Sequence, residues 1–479
     1  MKRIVNISCK LILCAATAIA LPAQTFTTIH SFDGTDGKNP YAGLIQADNG
    51  DGYGTTENGG TSTNCDGGCG TVFKITPGGT LKTLYSFCVQ SGCPDGQYPY
   101  AGLFQDANGD FYGTTSAGGA SGFGTVFKIT PTALTTLHSF GGTDGENPWA
   151  GLIQGTDGNF YGTTVNGGAD NGQGTVFKMT PGGTLTTLHT FCEQAEGTSC
   201  VDGQHPEAGL VQAANGDFYG TTSAGGALAA GGHGTIFKIT TSGALTTLYR
   251  FCAQSGCSDG SGPQAGLVQG TDGNFYGTTS AGGASEHGEV FKVTPGGALT
   301  TLYSFCSQVA CSDGSVPEAG LVQATDGNFY GTTSTGGTNR AGTVFEIAPS
   351  GTLTTLHSFV SPNAGHQAGL VQATNGDFYG TTWGGGADQY GTVFNLSVGL
   401  RPFVKPLPPS GKVGAVVRIL GSNLTGTTSV SFNGAAAVFT EVSNSEITTT
   451  VPAGATSGEV QVVTPSGTLS SNVPFRVLP

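Results

Sequence analysis

Charge is scarce in this 479-residue chain, in which only 10% of the residues are Asp, Glu, Lys or Arg. Positive charge is the scarcer, with 17 Lys and Arg against 31 Asp and Glu. So few basic residues exclude nucleic acid and an anionic lipid surface as natural partners, because both attract proteins through basic patches. No H-E-x-x-H motif is present, which excludes the zinc-protease helix that this motif marks.

Glycine, in contrast, is abundant and occupies 83 positions. It destabilises helix interiors and favours tight turns. The segments between the glycines are rich in Thr, Val, Phe and Tyr, which favour strands. The composition therefore predicts an all-β protein with many turns.

The amino terminus has the composition of an export signal. Lys2, Arg3 and Lys10 precede the apolar run LILCAATAIAL, and small residues follow it. We expect residues 1–23 to be a signal peptide that is removed, and the mature protein to be secreted, periplasmic or on the cell surface. No later apolar run is long enough to cross a bilayer, so we expect no membrane insertion after cleavage.

The charge of the remaining chain is unevenly distributed. Residues 24–399 hold nine Lys and Arg and 28 Asp and Glu, a net charge of −19, whereas residues 400–479 have a net charge of +2. An acidic body of this kind favours divalent cations or neutral, hydroxyl-rich molecules as partners.

A repeat of about fifty residues dominates the chain. The pattern GLxQxxxGxxYGTT begins at Gly43, Gly102, Gly151, Gly209, Gly266, Gly320 and Gly369. Each copy contains four strand-like runs, which we call a to d, and the a–b turn carries the Asn-Gly or Asp-Gly pairs of tight hairpins. Four antiparallel strands repeated seven times predict a seven-bladed β-propeller over residues 24–399.

The seventh copy ends after its c strand, GTVFNLSV, at residues 391–398. The missing d strand is present at the other end of the mature chain as TFTTIHSF, residues 25–32. We therefore expect the amino-terminal strand to close the propeller by completing the last blade, because an open ring would leave an unpaired edge.

The repeated motif GNFYGTTSxGGxxxxGTVFKITPxGxLTTLxSF resembles the GloVer tandem repeat of exported bacterial proteins. The resemblance covers residues 25 to about 398 and implies no established activity. The GNFYGTT part is also similar to the propeller repeats of hybrid two-component sensors, which implies the same fold.

The proline-rich linker VGLRPFVKPLPPSG occupies residues 398–411. Residues 400–479, which include most of this linker, continue with alternating strand and turn segments on a sandwich-like spacing. This segment resembles an IPT/TIG domain, an immunoglobulin-like sandwich. The positions that match its landmarks are Gly411, Gly414, Gly421, Asn423, Phe432, Gly434, Ala437, Pro452, Gly454 and Gly458. The resemblance implies a spacer or protein-contact module, and we assign no catalytic residues in this segment of the sequence.

Ten cysteines remain after the signal peptide, and they occur as close neighbours. The pairs are Cys65 with Cys69, Cys88 with Cys93, Cys192 with Cys200, Cys252 with Cys257, and Cys306 with Cys311. An even number in an exported chain predicts five disulfides that close small loops. Thiolate coordination of a metal is the alternative, although no histidine stands at ligand spacing.

The d–a and b–c connections are long and varied, and in a propeller they emerge on one face, where we expect binding. An Asp precedes the Gly of strand a by seven residues in six copies: Asp36, Asp95, Asp144, Asp202, Asp259 and Asp313. With His205 and His366 from the same loops they are our candidate binding residues. The carboxylates would hold Ca²⁺ or glycan hydroxyls; the alternative is that each Asp only stabilises its own Asp-Gly turn.

No catalytic residue is assigned from the sequence. If one exists, we expect it among His205, His233, His287 and His366, acting with Glu207, Glu286, Glu289 or Glu318 as acid or base. The Gln and Tyr of the repeat recur in every copy, so we interpret them as architectural.

These patterns predict a monomeric, non-catalytic binding or adhesion protein that is secreted or on the cell surface. Its ligand, an extracellular glycan or protein, would lie on the disulfide-bearing face, with no cofactor other than an optional Ca²⁺. The alternatives are a carbohydrate-active enzyme, a lyase or glycosidase, that uses the same face, and a purely structural role in an envelope layer.

Overall fold

The computed structural model describes residues 24–131, 133–169, 172–192, 200–226, 232–360 and 368–478. The expected signal peptide and the candidate His366 lie outside these residues. Within this part of the chain we find no helix with the length and hydrophobicity that a membrane crossing requires.

The described structure is almost entirely β, with short 3₁₀ turns at Ser255–Cys257 and Val309–Cys311. The strands of the repeats are β1 (Thr25–Ser31), β2 (Ile45–Gln46), β3 (Gly52–Thr56), β4 (Thr71–Ile75), β5 (Leu81–Ser86), β6 (Phe104–Gln105), β7 (Phe111–Thr115), β8 (Thr125–Ile129), β9 (Leu134–Ser139), β10 (Ile153–Gln154), β11 (Phe160–Thr164), β12 (Thr175–Met179), β13 (Leu185–Thr190), β14 (Val211–Gln212), β15 (Phe218–Thr222), β16 (Thr235–Ile239), β17 (Leu245–Arg250), β18 (Val268–Gln269), β19 (Phe275–Thr279), β20 (Glu289–Val293), β21 (Leu299–Ser304), β22 (Val322–Gln323), β23 (Phe329–Thr333), β24 (Thr343–Ile347), β25 (Leu353–Ser358), β26 (Val371–Gln372), β27 (Phe378–Thr382) and β28 (Thr392–Ser397). The strands that follow are β29 (Lys405–Leu407), β30 (Ser410–Lys412), β31 (Val416–Leu420), β32 (Ser429–Phe432), β33 (Ala435–Ala437), β34 (Phe439–Ser443), β35 (Glu446–Thr450), β36 (Val460–Thr464), β37 (Gly467–Ser470) and β38 (Arg476–Leu478).

Strands β2 to β25 form six antiparallel sheets, each from four consecutive strands in the order a-b-c-d. The seventh sheet has the order β26-β27-β28-β1. We number the sheets, with their loops, as units 1 to 7 in the order of their a strands. The predicted pairing of the amino-terminal strand with the last copy is confirmed: β1 pairs with β28 from Thr25 opposite Ser397 to Ser31 opposite Thr392 and completes the seventh sheet.

Neighbouring units meet at the first Gly of the repeat. A Cβ added to any of these glycines would lie 2.4–3.6 Å from the carbonyl oxygen of the equivalent Gly one unit earlier, so glycine permits the close approach of the a strands. The contacts join Gly102 to Gly43, Gly151 to Gly102, Gly209 to Gly151, Gly266 to Gly209, Gly320 to Gly266, Gly369 to Gly320, and Gly43 to Gly369. They therefore run from each unit to the next and from unit 7 to unit 1.

A second set of contacts follows the same path. A buried Thr of each b strand donates a hydrogen bond of 2.8–3.3 Å to the carbonyl oxygen of the Ala that precedes the Gly of the next unit. The pair between unit 7 and unit 1 is Thr381 with Ala42. These bonds satisfy buried backbone acceptors between sheets that share no strand.

Aromatic rings fill the space between the sheets. The repeated Tyr stacks on the Phe that begins the b strand of the next unit, with ring centroids 4.0–4.4 Å apart. The pairs are Tyr53 with Phe111, Tyr112 with Phe160, Tyr161 with Phe218, Tyr219 with Phe275, Tyr276 with Phe329, and Tyr330 with Phe378. The interpretation of this Tyr as architectural agrees with these contacts.

The carboxyl-terminal part packs two four-stranded sheets, ordered β29-β31-β35-β34 and β33-β32-β36-β37. Both sheets contribute to one apolar core, which includes Val417 and Ile419 from the first and Phe432 and Val462 from the second. This arrangement is the sandwich that the alternating pattern predicts.

The sandwich contacts the a–b turns of the repeats. Arg418 Nη1 lies 2.9 Å from Asp48 Oδ2 in unit 1, and the backbone N–H of Phe403 donates to the carbonyl of Thr374 in unit 7. Arg476 donates to the carbonyl of Ala214 in unit 4. The second domain therefore reaches the short-turn end of units 1, 4 and 7.

Candidate functional site at the long connections

The d–a and b–c connections lie side by side at the end of the sheets away from the second domain. Isolated β-bridges join them in units 1 to 6 of the described chain, as between Gln97 and Ala117 or between Gln204 and Ala224. Two variable segments of each unit are therefore brought together, as the strand order predicts.

One position in these connections differs in chemistry from unit to unit. It lies two residues before the Gly of strand a, next to the contacts between units. In chain order it is Tyr41, Tyr100, Trp149, Glu207, Gln264, Glu318 and Gln367, of which Gln367 lies outside the described residues. The first six, together with Glu57 and Trp383 from the b–c connections, form what we call the aromatic–carboxylate cluster.

The aromatic side of the cluster comes from units 7, 1, 2 and 3. Tyr100 stacks on Trp149 with ring centroids 5.5 Å apart and meets Tyr41 edge-on at 5.0 Å. Glu57 joins these rings to the last unit, because it accepts hydrogen bonds from Tyr100 Oη at 2.9 Å and from Trp383 Nε1 at 3.1 Å. Trp149 and Trp383 are 37% and 38% exposed, so both offer ring surface to a ligand.

The carboxylate side comes from units 4 to 6. Burial raises the pKa of Glu207, and the nearby Glu318 carboxylate raises it further. The hydrogen bond from Ser223 acts in the opposite direction and lowers this pKa. Burial also raises the pKa of Tyr41 to about 12, with further contributions from Glu318, Glu207 and Glu57. The aromatic and acidic residues therefore share one electrostatic environment.

The six candidate aspartates are placed elsewhere. Each carboxylate bonds to the His or Tyr at one position of a d strand, at 2.7–2.9 Å: Asp36 to His30, Asp95 to Tyr85, Asp144 to His138, Asp202 to His189, Asp259 to Tyr249, and Asp313 to Tyr303. Each also accepts a backbone N–H of its own loop. The d strand is the edge of the sheet opposite the a strand, so these bonds hold the connection against the outer edge.

A role of the aspartates in binding Ca²⁺ or a glycan stays a prediction. Asp259 and Asp313 are fully buried, and protein donors contact both of their oxygens. Asp95 differs, since its Oδ1 is buried without a hydrogen-bond partner.

The candidate histidines of the varied loops are not brought together by any described contact. His205 is half-buried and its Nδ1 lies 3.1 Å from the carbonyl of Val165. His233 is exposed and bonds Ser261 at 2.9 Å, and His287 is exposed. Among the described histidines of these loops, His205 interacts with the aromatic–carboxylate cluster, where it opposes the rise in the pKa of Glu207.

The other two candidate acids have different environments. Glu286 is exposed. Glu289 is fully buried at the start of β20, where the other six sheets have a Thr bonded to a Thr of the b strand. Its Oε1 accepts a bond from Thr301, whereas its Oε2 has no partner.

All five predicted disulfides are confirmed. The three groups of potential metal ligands found among the described residues consist of these cysteines, in two cases with His233 or His287. Sulfur in a disulfide is not a thiolate, so these groups are not metal sites.

Sequence reasoning identified Glu207 and Glu318 but missed Tyr41, Tyr100, Trp149, Glu57 and Trp383. A signal for three of them was present, because the position two residues before the repeated Gly changes from aromatic in the first three copies to acid or amide in the other four.

Repeated four-stranded sheets followed by a sandwich define an all-β repeat protein with an appended domain. The profile of the Gloeobacter/Verrucomicrobia repeat matches residues 16–133, 61–258 and 232–439, so the chain belongs to this repeat family. An IPT/TIG domain matches residues 403–477, as the landmarks in the sequence predict. No curated protein matches the chain significantly.

Solved structures resemble the fold at low identity. A fungal alcohol oxidase of the AA5 family, solved with copper, is 11% identical with a TM-score of 0.52, over 95% of this chain and 99% of its own. The extracellular domain of a chain assigned as a one-component system, from B. thetaiotaomicron, is 13% identical with a TM-score of 0.48, over 95% of this chain and 58% of that one. A protein assigned as a 6-phosphogluconolactonase from Bacteroides uniformis is 16% identical with a TM-score of 0.42, over 67% and 84%. Only the first has a TM-score above 0.5, and at 11% identity its likeness concerns the fold alone.

Proposed function

We propose that the protein is a secreted or cell-surface glycan-binding protein whose ligand lies on the aromatic–carboxylate cluster. The seven sheets are the blades of a closed propeller, and the second domain covers the short-turn end. The long-connection end is then the accessible mouth of the ring. The observation that carries the proposal is the aromatic arc of Tyr41, Tyr100, Trp149 and Trp383 beside the carboxylates Glu207 and Glu318.

The closed ring is supported by the pairing of β1 with β28 and by the contacts from unit 7 to unit 1. The Gly43–Gly369 and Thr381–Ala42 pairs repeat the geometry found between the other units. With a ring of this kind, the six cluster residues of the d–a connections face a common axis, because each lies two residues before the Gly that contacts the neighbouring unit.

The chemistry of the cluster suits a sugar. The exposed Trp rings and the half-buried Tyr rings offer flat apolar surface to the C–H face of a pyranose, and carboxylates and amides accept and donate bonds to its hydroxyls. The acidic body, with a net charge of −19, opposes polyanions such as uronic acid polymers. Neutral and amino-sugar glycans are therefore the expected class.

Calorimetric titration with neutral, amino-sugar and uronic acid oligosaccharides tests this function. We expect binding of the first two classes and at least a tenfold loss of affinity in Trp149→Ala and Tyr100→Ala, about 1.4 kcal/mol each. Val309→Ala, at a residue that is 92% exposed in a neighbouring loop, is the control and retains affinity. Equal affinity in all variants, or binding of uronic acids alone, contradicts the proposal.

A second candidate function is hydrolysis or elimination at the same site. It is favoured by the two carboxyl groups of Glu207 and Glu318 in one electrostatic environment, where burial raises the pKa of Glu207, since glycoside cleavage uses a pair of carboxyl groups. Product analysis of wild type and Glu207→Gln separates the two functions. Turnover lost in Glu207→Gln with retained affinity indicates an enzyme, whereas no product with either protein indicates binding alone.

A further inference from the structure

The interface between unit 7 and unit 1 lacks one ring of the repeated stack. In six units the repeated Tyr faces the Phe of the next unit at 4.0–4.4 Å. Tyr379 of unit 7 should face the first residue of β3, which is Gly52. The Phe that packs on the repeated Tyr at the other six interfaces therefore has no counterpart at Gly52, although other apolar side chains keep Tyr379 buried.

A cavity of about 210 Å³ lies at this position. Its apolar wall is formed by Tyr379, Leu44, Ile75 and Pro77, with Gly52 among the lining residues. An apolar cavity of about 150 Å³ is enough to hold benzene. The space therefore suits one planar six-membered ring with a small substituent.

The remaining wall is polar and uncharged in large part. The second domain contributes Asn423 and Asn444, and the a–b turns contribute Asn49 and Asn375. Asn375 Nδ2 lies 3.2 Å from Tyr379 Oη, so the amide rim begins where the aromatic wall ends. An amide group can donate a hydrogen bond to a hydroxyl and can also accept one from it. The amide rim therefore suits a ring with a single hydroxyl group better than it suits an ion.

We infer that this cavity is a binding site for a small phenolic ring, which takes the place of the absent Phe on Tyr379 and points its hydroxyl at the amide rim. The site shares no residue with the aromatic–carboxylate cluster and does not depend on glycan binding. Because its wall combines units 1 and 7 with the second domain, an occupied site also joins the two ends of the repeat array to that domain.

A larger side chain at position 52, which would occupy the cavity, tests the inference. Gly52 is not in the left-handed region, and a Cβ there would lie 3.2 Å from Ile75 Cγ2 and 3.4 Å from Leu44 Cδ1. A Cβ at this position therefore needs a shift of only a few tenths of an ångström in Ile75. Gly52→Phe restores the stack of the other six interfaces, and Gly52→Leu is the smaller alternative if Gly52→Phe does not fold.

The measurement is saturation-transfer NMR and calorimetry of the full mature chain with phenol, using cyclohexanol as a non-planar control of similar size. We expect saturable phenol binding to wild type, at least tenfold weaker binding of cyclohexanol, and at least a tenfold loss of phenol affinity in Gly52→Phe or Gly52→Leu. No phenol binding to wild type, equal binding of cyclohexanol, or unchanged phenol affinity in the filled variants overturns the inference.

Discussion

Thr381 Oγ1 donates a hydrogen bond of 3.0 Å to the carbonyl oxygen of Ala42, although the two residues are 339 positions apart. The same bond joins every other pair of neighbouring units, so the last and first units meet as sequence neighbours do. A contact of this kind between the two ends of an array makes the stability of each end depend on the other.

Removal of β1 should therefore destabilise the whole repeat array. A mature chain that begins at residue 33 lacks the edge strand of the seventh sheet and the Phe26 ring, which packs on Phe359 and Phe394. We expect a large fall in the melting temperature by calorimetry, and recovery on addition of a peptide of residues 24–32. A truncated chain that melts at the wild-type temperature contradicts the closed ring.

Asp259 tests whether the repeated aspartates are structural. Its buried carboxylate accepts bonds from Tyr249 Oη at 2.7 Å and from the N–H groups of Ala253 and Gln254. Asp259→Ala leaves these donors without partners, so we expect a loss of about 2–3 kcal/mol in the free energy of unfolding, measured with urea.

The control for Asp259 is Asp66→Ala, at an exposed residue, which should change stability by less than about 0.5 kcal/mol. Melting curves with and without Ca²⁺ complete the test. Stabilisation of wild type by Ca²⁺ that disappears in Asp259→Ala would establish the aspartates as ligands, whereas a Ca²⁺-independent loss indicates a structural role.

The architecture could be predicted because its causes are local and repeated. Asn-Gly and Asp-Gly pairs specify hairpins at fixed spacing, and the copy that ends without a d strand indicates which segment completes it. The Asp–His and Asp–Tyr pairs could not be found in this way. Their separations vary between 6, 10 and 13 residues with the length of the connection, so no fixed spacing marks them.

The candidate site could be predicted only in part for a related reason. Glu57 and Trp383 lie in the same cluster although they are 326 positions apart. Residues that repeat in every copy proved to be packing residues, as the stacked Tyr shows. The residues with distinct chemistry stand where the copies disagree, and the contacts between units are needed to show that these positions are neighbours.

Arg418 should couple the second domain to the repeats. Its Nη1 lies 2.9 Å from Asp48 Oδ2, and both side chains are mostly buried, at 15% and 22% exposure. In a double-mutant cycle of Arg418→Met and Asp48→Asn we expect a coupling energy of about 1–2 kcal/mol, measured by urea unfolding. The pair Lys74–Asp51 is the control, since its cation is more exposed, at 32%, and its N–O distance is longer, at 3.3 Å; it should give less than about 0.5 kcal/mol. Equal coupling in the two cycles would mean that Arg418 does not hold the domain.

Glu289 should make stability fall with rising pH. Burial raises its pKa from 4.5 to about 8, and the Asp259 carboxylate adds to the shift. The folded state binds this proton more tightly than the unfolded state. The stabilisation that comes from protonated Glu289 is therefore fully present below pH 4.5 and is lost as the pH rises through about 8. The difference amounts to about 3–5 kcal/mol.

Glu289→Thr restores the residue that the other six sheets have at this position and should remove this part of the pH dependence of stability. We expect the variant to be more stable than wild type at pH 9, and the advantage to shrink at pH 5, in urea unfolding at both values. Glu286→Gln, at an exposed carboxylate three residues earlier, should follow wild type at both. If Glu289→Thr and wild type lose stability in parallel between pH 5 and pH 9, Glu289 is not the group that titrates, and the prediction is wrong.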